Sequence, residues 1–253
     1  MLTYQEKNTM TKDKALNFPM FEDVLSFPSD LYDMFQDVSI LCAFDSGANT
    51  IFVSYAIKLG LDASVHKLSL VIEYINTRPT NFYLALTEVT SLYISTNFRH
   101  ALIGGTRDGS LVLWDLRDSN LMHSTNPHEM IRKIYERHEG KEGKYVYRLP
   151  NYSTDFLGEN GHGSAVVKIK DVYSNKNIYE IFSLEEFGKV IVWNLTELTK
   201  YELAQGLYDL GMSIDAKIKL IKTTEFIIDD FYFHDLRRNI LCTDIDLDKQ
   251  ATK

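Results

Sequence analysis

The most constraining feature of the chain is a phrase that occurs twice. Residues 109–115 read GSLVLWD and residues 188–194 read GKVIVWN, and the two align without a gap. Each opens on a glycine (Gly109, Gly188), runs through branched apolar residues to a tryptophan (Trp114, Trp193), and ends on Asp115 or Asn194. A short apolar run of this kind after a turn residue is a strand signal. Asp108-Gly109 between two apolar runs marks a tight hairpin. The residues before each phrase repeat as well. Residues 86–95 (LTEVTSLYIS) and 100–106 (HALIGGT) lead into the first, and residues 166–173 (VVKIKDVY) and 178–184 (IYEIFSL) lead into the second. Two groups of three strands in the same order are the sign of a repeat architecture, in which each unit buries one face against its neighbour.

The rest of the chain has the same texture. From residue 39 on, ILCAFD, TIFVSYAIKL and LSLVIEYI are strand-sized apolar runs broken by polar and Gly-containing stretches. The tail holds KIKLI, EFIIDDFYF and NILCTDIDL, which read as the start of another unit. Residues 1–13 are polar. Residues 18–35 (FPMFEDVLSFPSDLYDMF) gather aromatics and prolines, and suit a short helix, an extended docking segment or a peptide packed on the domain edge. Residues 1–20 lack the apolar stretch of a signal peptide. No apolar run approaches the roughly 18 residues of a membrane span. The net charge of −8 lacks the basic footprint of a nucleic-acid binder. Cys42 and Cys242 lie far apart, which fits reduced thiols better than a disulfide framework.

This pattern resembles the WD-repeat β-propeller, and the fold it implies is all-β. Residues 1–38 form an N-terminal segment, partly disordered and irregular or helical. Residues 39–253 form a partial propeller, with clear blades at about 86–125 and 161–205. A polar insertion, 126–160, stretches the usual interval of about 40–45 residues per blade, and incomplete blades lie at both ends. In that family the Trp N–H joins a polar network with a Ser or Thr on the second strand, an Asp in the turn and a His from a Gly-His pair. The first unit offers Thr106, Asp108, Gly109, Trp114 and Asp115 but no Gly-His pair. The second offers Gly161-His162, Gly188, Trp193 and Asn194, with Phe187 where the turn Asp belongs. A half-satisfied buried network loses stability, so both units read as degenerate repeats held mainly by apolar packing.

A closer resemblance follows from 102–119 (LIGGTRDGSLVLWDLRDS), 182–193 (FSLEEFGKVIVW) with 194–198 (NLTEL), and 206–222, where Asp209-Leu210-Gly211 precedes a basic-apolar strand. These segments are similar to the WD-repeat intermediate chains of dynein, and within that family to the larger intermediate chains of cytoplasmic dynein 2. The match runs from Ser91 to about Lys222. It implies a divergent or truncated scaffold subunit without catalytic activity or cofactor. Its partners would be a dynein heavy chain and other dynein subunits, with no nucleic acid and no membrane insertion. Its location would be the cytoplasm, cytoskeleton, and cilium or basal body, in retrograde intraflagellar transport. The family's light-chain-binding half has no matching residues here. The alternative is a WD-repeat interaction scaffold outside the dynein complex.

Other chemistry finds little support in the sequence. His123, His128 and His138 form no compact set at metal-ligand spacing. Residues 244–248 (DIDLD) imitate a calcium loop without its glycine. Residues 104–109 (GGTRDG) lack the Gly-Lys-Ser/Thr of a phosphate loop. Asp229 and Asp230 are adjacent, so on a strand they point to opposite faces. Arg117, Arg132, Lys133 and Arg137 give local positive charge that suits a solvated loop.

Overall fold

In the computed structural model, the residues described are 25–32, 35–59, 67–118, 147–172, 179–205, 210–213, 216–228 and 241–245. Readings that fall on residues 1–24, His123, His128, Arg132, Lys133, Arg137, His138, Asp209, Asp229, Asp230 and Asp248 lie outside them.

Among the described residues, thirteen strands build three sheets. Blade 1 is β1 (Phe35–Gly47), β2 (Thr50–Leu59), β3 (Lys67–Ile75) and β4 (Arg78–Ala85), an antiparallel meander. Ala48-Asn49 and Asn76-Thr77 close two of its hairpins, and all four residues have positive φ. Two-residue loops of that conformation match the right-handed twist of the strands they join. Blade 2 is β5 (Val89–Ile94), β6 (Ala101–Thr106) and β7 (Leu111–Asp115), with β9 (Tyr152–Ser153) on its outer edge. Blade 3 is β10 (Val166–Asp171), β11 (Glu180–Glu185), β12 (Lys189–Glu197) and β13 (Ile218–Ile227). β8 (Tyr147–Arg148) runs parallel to β4. The first strands β1, β5 and β10 contact one another in series, so the sheets stack face to face as a partial propeller. One short helix, α1 (Lys200–Gln205), follows blade 3's third strand. It starts on a reciprocal cap, in which Thr199 Oγ1 accepts from the Glu202 N–H at 3.2 Å and the Thr199 N–H donates to Glu202 Oε2 at 2.8 Å.

Strand alternation decides which junction each side chain fills. In blade 2, Leu102, Val112 and Trp114 face blade 1, where they meet Phe52, Val71, Tyr83 and Ala85. Ala101, Ile103, Leu111 and Leu113 face blade 3, where they meet Ile181, Ile191, Trp193 and Leu195. Each Trp therefore sits in the junction with the blade before its own, and both are 1% exposed.

Three sequence expectations change. Residues 35–85 form a complete four-stranded blade, where the sequence suggested an incomplete one. Part of the supposed insertion is ordered. β8 and β9 continue the outer edges of blades 1 and 2, because β4 and β7 otherwise leave backbone groups unpaired there. Asn151 and Thr154 extend that pairing, with their N–H groups donating to Leu113 O at 2.7 Å and Leu111 O at 2.9 Å. The strand around KIKLI closes blade 3 and does not open the next unit. The segment before β1 packs on the sheet: Phe27 and Leu31 are buried on blade 1's outer face with Phe35, Tyr55, Tyr74, Tyr147 and Leu149.

Candidate functional site

The residues singled out in the sequence lie in the junctions between blades, and the two units use them differently. In blade 3, His162 precedes β10, Ser183 lies on β11 and Trp193 on β12. Trp193 Nε1 donates to Ser183 Oγ at 2.7 Å, and Ser183 Oγ lies 2.6 Å from His162 Nε2. An indole N–H can only donate, so Ser183 Oγ accepts from Trp193, and its own proton has two acceptors in reach, His162 Nε2 and, at 3.5 Å, Ile191 O. Nδ1 faces Glu185 Oε2 at 3.3 Å, outside hydrogen-bond geometry. The same carboxylate oxygen accepts the Gly163 N–H at 2.8 Å. The His162 ring is completely buried. Burial first, and then the charges of Lys189 and Lys222, push its pKa down to about 3, so it is neutral. Glu185 thus presents a carboxylate to the histidine, and Phe187, at the turn position, does not. Sequence reading identified neither Ser183 nor Glu185. The alternation of β11 was the usable signal, because both residues share the face of Ile181 that looks toward blade 2.

Blade 2 lacks this network. Thr106 Oγ1 donates to Asp108 Oδ1 at 2.5 Å, and the Ser110 N–H donates to the same oxygen at 3.0 Å. These bonds brace the β6–β7 turn. Trp114 Nε1 has no hydrogen-bond partner among the described residues, so Thr106 and Asp108 do not serve it. In the gap-free alignment Ser183 corresponds to Gly104, which has no hydroxyl to offer. A Cβ on Gly104 would stand 3.1 Å from the Trp114 ring. Trp114 is held by apolar contact and by an edge-on approach to Tyr83, with ring centroids 5.9 Å apart.

The turn glycines also differ. Gly109 and Gly188 have φ of 91° and 89°. A Cβ on Gly109 would come within 2.5 Å of the His162 carbonyl oxygen, whereas one on Gly188 would meet nothing closer than 3.6 Å. Gly109 is therefore both a turn residue and a point where the backbones of blades 2 and 3 touch.

Asp115 is buried, and Arg117 holds it with two bonds, Nε to Oδ1 at 3.0 Å and an NH2 to Oδ2 at 2.8 Å. Burial opposes ionisation of Asp115, but the bonds to Arg117 outweigh it and keep the carboxyl below its usual range. Arg117 also reaches Glu197 on β12 at 2.8 Å. It is an inter-blade tie, where the sequence suggested a solvated loop. Asn194, the counterpart of Asp115, is half-buried and pairs in register with Ile221.

Further side chains cross the junctions. Thr90 Oγ1 and Ser91 Oγ donate to Val166 O at 2.7 and 3.0 Å. The Thr96 N–H and hydroxyl donate to Asp171 Oδ2 at 2.8 and 2.6 Å. Tyr152 Oη donates to Leu220 O at 2.8 Å. Among the described residues no group of three or more His, Cys, Asp or Glu could hold a metal ion. No described helix is long and apolar enough to cross a membrane. The arrangement is a stack of blades with exposed aromatics, including Phe156 and Tyr201.

No protein-family model matches the chain. Among solved structures, the WD40 repeats of RRP9 match 62% of this chain and 36% of that one, at 16% identity and a TM-score of 0.36. Among curated proteins, cytoplasmic dynein 2 intermediate chain 1 of Homo sapiens is 23% identical over 176 residues, and that of Mus musculus is 26% identical over 166 residues. The alignments cover 62% and 58% of this chain, which spans only 15% of the length of each relative. In sequence, the chain is thus similar to a dynein 2 intermediate chain over more than half of its length.

Proposed function

We propose that the chain is a non-catalytic scaffold subunit of a cytoplasmic dynein complex. Its blades bind the tail of a motor heavy chain, and the assembly supports retrograde transport in cilia. The observation that carries this reading is the similarity to dynein 2 intermediate chain 1 over 176 residues. The stacked blades suit the role physically, because radially arranged sheets present a stiff rim. Aromatic rim residues of the kind found at Tyr201 and Phe156 supply most of the binding energy in such contacts. The cytoplasm and the cilium are the locations this role requires.

The test is affinity capture of the protein from ciliated cells with identification of its partners. Trp193→Ala empties the junction between blades 2 and 3, and should abolish heavy-chain capture at matched protein level. Arg78→Ala alters one exposed side chain and should leave capture intact. Arg117→Ala is unsuitable as a surface control, because Arg117 ties two blades together. Recovery of ubiquitin-ligase or coat components with no dynein subunit would replace this reading with that of a general WD-repeat scaffold.

A further inference from the structure

Strand register in blade 1 sets a carboxylate beside aromatic rings. Phe44 pairs with Phe52 across β1 and β2, and Phe52 pairs with Glu73 across β2 and β3. Direct cross-strand partners share a face, and this face looks toward blade 2, where Phe52 is buried in the junction. At the end of the blade that carries the β1–β2 hairpin, Phe44, Phe52 and Glu73 line a cleft of about 560 Å³ between blades 1 and 2. Tyr93 of β5 lines it from blade 2, with its ring edge-on to Phe44 at 5.6 Å between centroids.

The two walls carry opposite charge. Blade 1 contributes Asp45 and Glu73, and blade 2 contributes Arg99. Glu73 is held from behind. Arg148 donates to Asn81 Oδ1 at 3.0 Å, which leaves the Asn81 amide to present its N–H to Glu73. Asn81 Nδ2 and Tyr83 Oη donate to Glu73 Oε2 at 2.6 and 3.2 Å. Both bonds fall on one oxygen, and Oε1 makes none among the described residues. Asp45 Oδ1 accepts the Gly47 N–H at 2.8 Å, and Arg99 Nε donates to Thr96 O at 3.4 Å. Among the described residues none of these three charged groups makes an ion pair. Thr96 is anchored by Asp171 of blade 3, which fixes the wall that carries Arg99.

An aromatic floor between carboxylates and a guanidinium is complementary to three neighbouring side chains of one segment. The rings favour a large apolar residue. The carboxylates favour arginine, whose planar fork bonds to carboxylate oxygens and stacks on aromatic rings. Arg99 favours an acidic residue. A polyanion such as nucleic acid would meet Asp45 and Glu73 and is repelled.

We propose that the cleft between blades 1 and 2 is a docking site for an extended peptide segment of a partner protein, in which an arginine and an acidic residue flank a large apolar one. The apolar side chain rests on Phe44 and Tyr93, the arginine meets Asp45 and Glu73, and the acidic residue meets Arg99. Opposite charges on the two walls fix the direction of the segment. Tyr201 and Phe156 do not line the cleft, and the site does not rest on the dynein reading.

The test is selection of random phage-displayed dodecapeptides on the immobilised 253-residue chain, followed by synthesis of the most enriched peptide and measurement of its Kd. Enriched peptides should carry an arginine, a large apolar residue and an Asp or Glu in one short stretch. Glu73→Gln and Arg99→Ala should each weaken the synthetic peptide about tenfold, the loss expected for one charge-assisted bond. Selection repeated on Arg99→Glu should exchange the acidic residue of the peptide for a basic one. Circular dichroism should match the parent in every variant, and Asp45→Asn replaces Glu73→Gln if the latter alters the spectrum. No enrichment, enriched peptides without this charge pattern, or a Kd unchanged by both substitutions would overturn the proposal. So would self-association of the parent chain that Arg99→Glu abolishes, since a second copy would then be the occupant.

Discussion

At the scale of single residues, the two tryptophans show how one phrase can serve two kinds of junction. Trp193 is held by a hydroxyl that in turn reaches a histidine, while the N–H of Trp114 is left without a described partner. The histidine makes blade 3 sensitive to acid. Its folded pKa lies near 3, well below the value of about 6.5 for a free imidazole. Above pH 6.5 both folded and unfolded chains hold it neutral, so it contributes no pH dependence there. As pH falls below 6.5 the unfolded chain takes up a proton that the folded chain refuses. Stability then declines towards pH 3, at a rate approaching about 1.4 kcal/mol per pH unit. His162→Gln removes this proton uptake. Denaturant melts between pH 7 and pH 4 should therefore show a shallower loss of stability for the variant than for the parent. Parallel profiles would mean that His162 is charged or exposed in the folded protein. The Gly-His pair was legible in the sequence because its spacing from Trp193 is characteristic. Its partners were not, because Ser183 and Glu185 are ordinary residues until the face of β11 is known.

At the scale of elements, the long strands with a Trp or an Asp-Gly turn were legible, and the two-residue strands were not. β5 to β7 and β10 to β12 lie within the runs read from the sequence, give or take a few residues at their ends. β8 and β9 are too short to show any alternation, and residues 86–146 separate β8 from blade 1 while residues 116–151 separate β9 from β7. Their place is set by tertiary demand for backbone partners on β4 and β7, which leaves no local signal. β13 was legible as a strand and misplaced in order, because a strand's pairing partner is not written in its own composition. The turn glycines allow a direct test of inter-blade contact. Gly109→Ala and Gly188→Ala carry the same left-handed backbone penalty, about 1–2 kcal/mol. Only the first also drives a methyl into the His162 carbonyl. Gly109→Ala should thus lower the chemical-denaturation midpoint clearly more than Gly188→Ala. Equal losses would show that the backbones of blades 2 and 3 do not touch at this turn.

At the scale of the whole molecule, each tryptophan reports one junction, and the junctions are not equally protected. Blade 2 is packed on both faces. Blade 1 has blade 2 on one side and the buried segment around Leu31 on the other. Among the described residues, blade 3 has residues 241–245 on its outer face, and Ile227 at the end of β13 is 68% exposed. In a stack of repeats, stability is roughly the sum of each unit and its contacts with neighbours, so the unit with least cover opens first. Trp114→Phe removes an N–H that has no hydrogen-bond partner among the described residues and leaves Trp193 as the sole indole, which makes it a mild way to isolate the junction between blades 2 and 3. In that variant the fluorescence midpoint of Trp193 should fall below the midpoint followed by far-ultraviolet circular dichroism, which reports all three sheets. Coincident midpoints would show that the three blades unfold as one cooperative unit. The terminal blade would then be as firmly held as the central one, and the exposed apolar residues on its outer face would be no sign of a weak end.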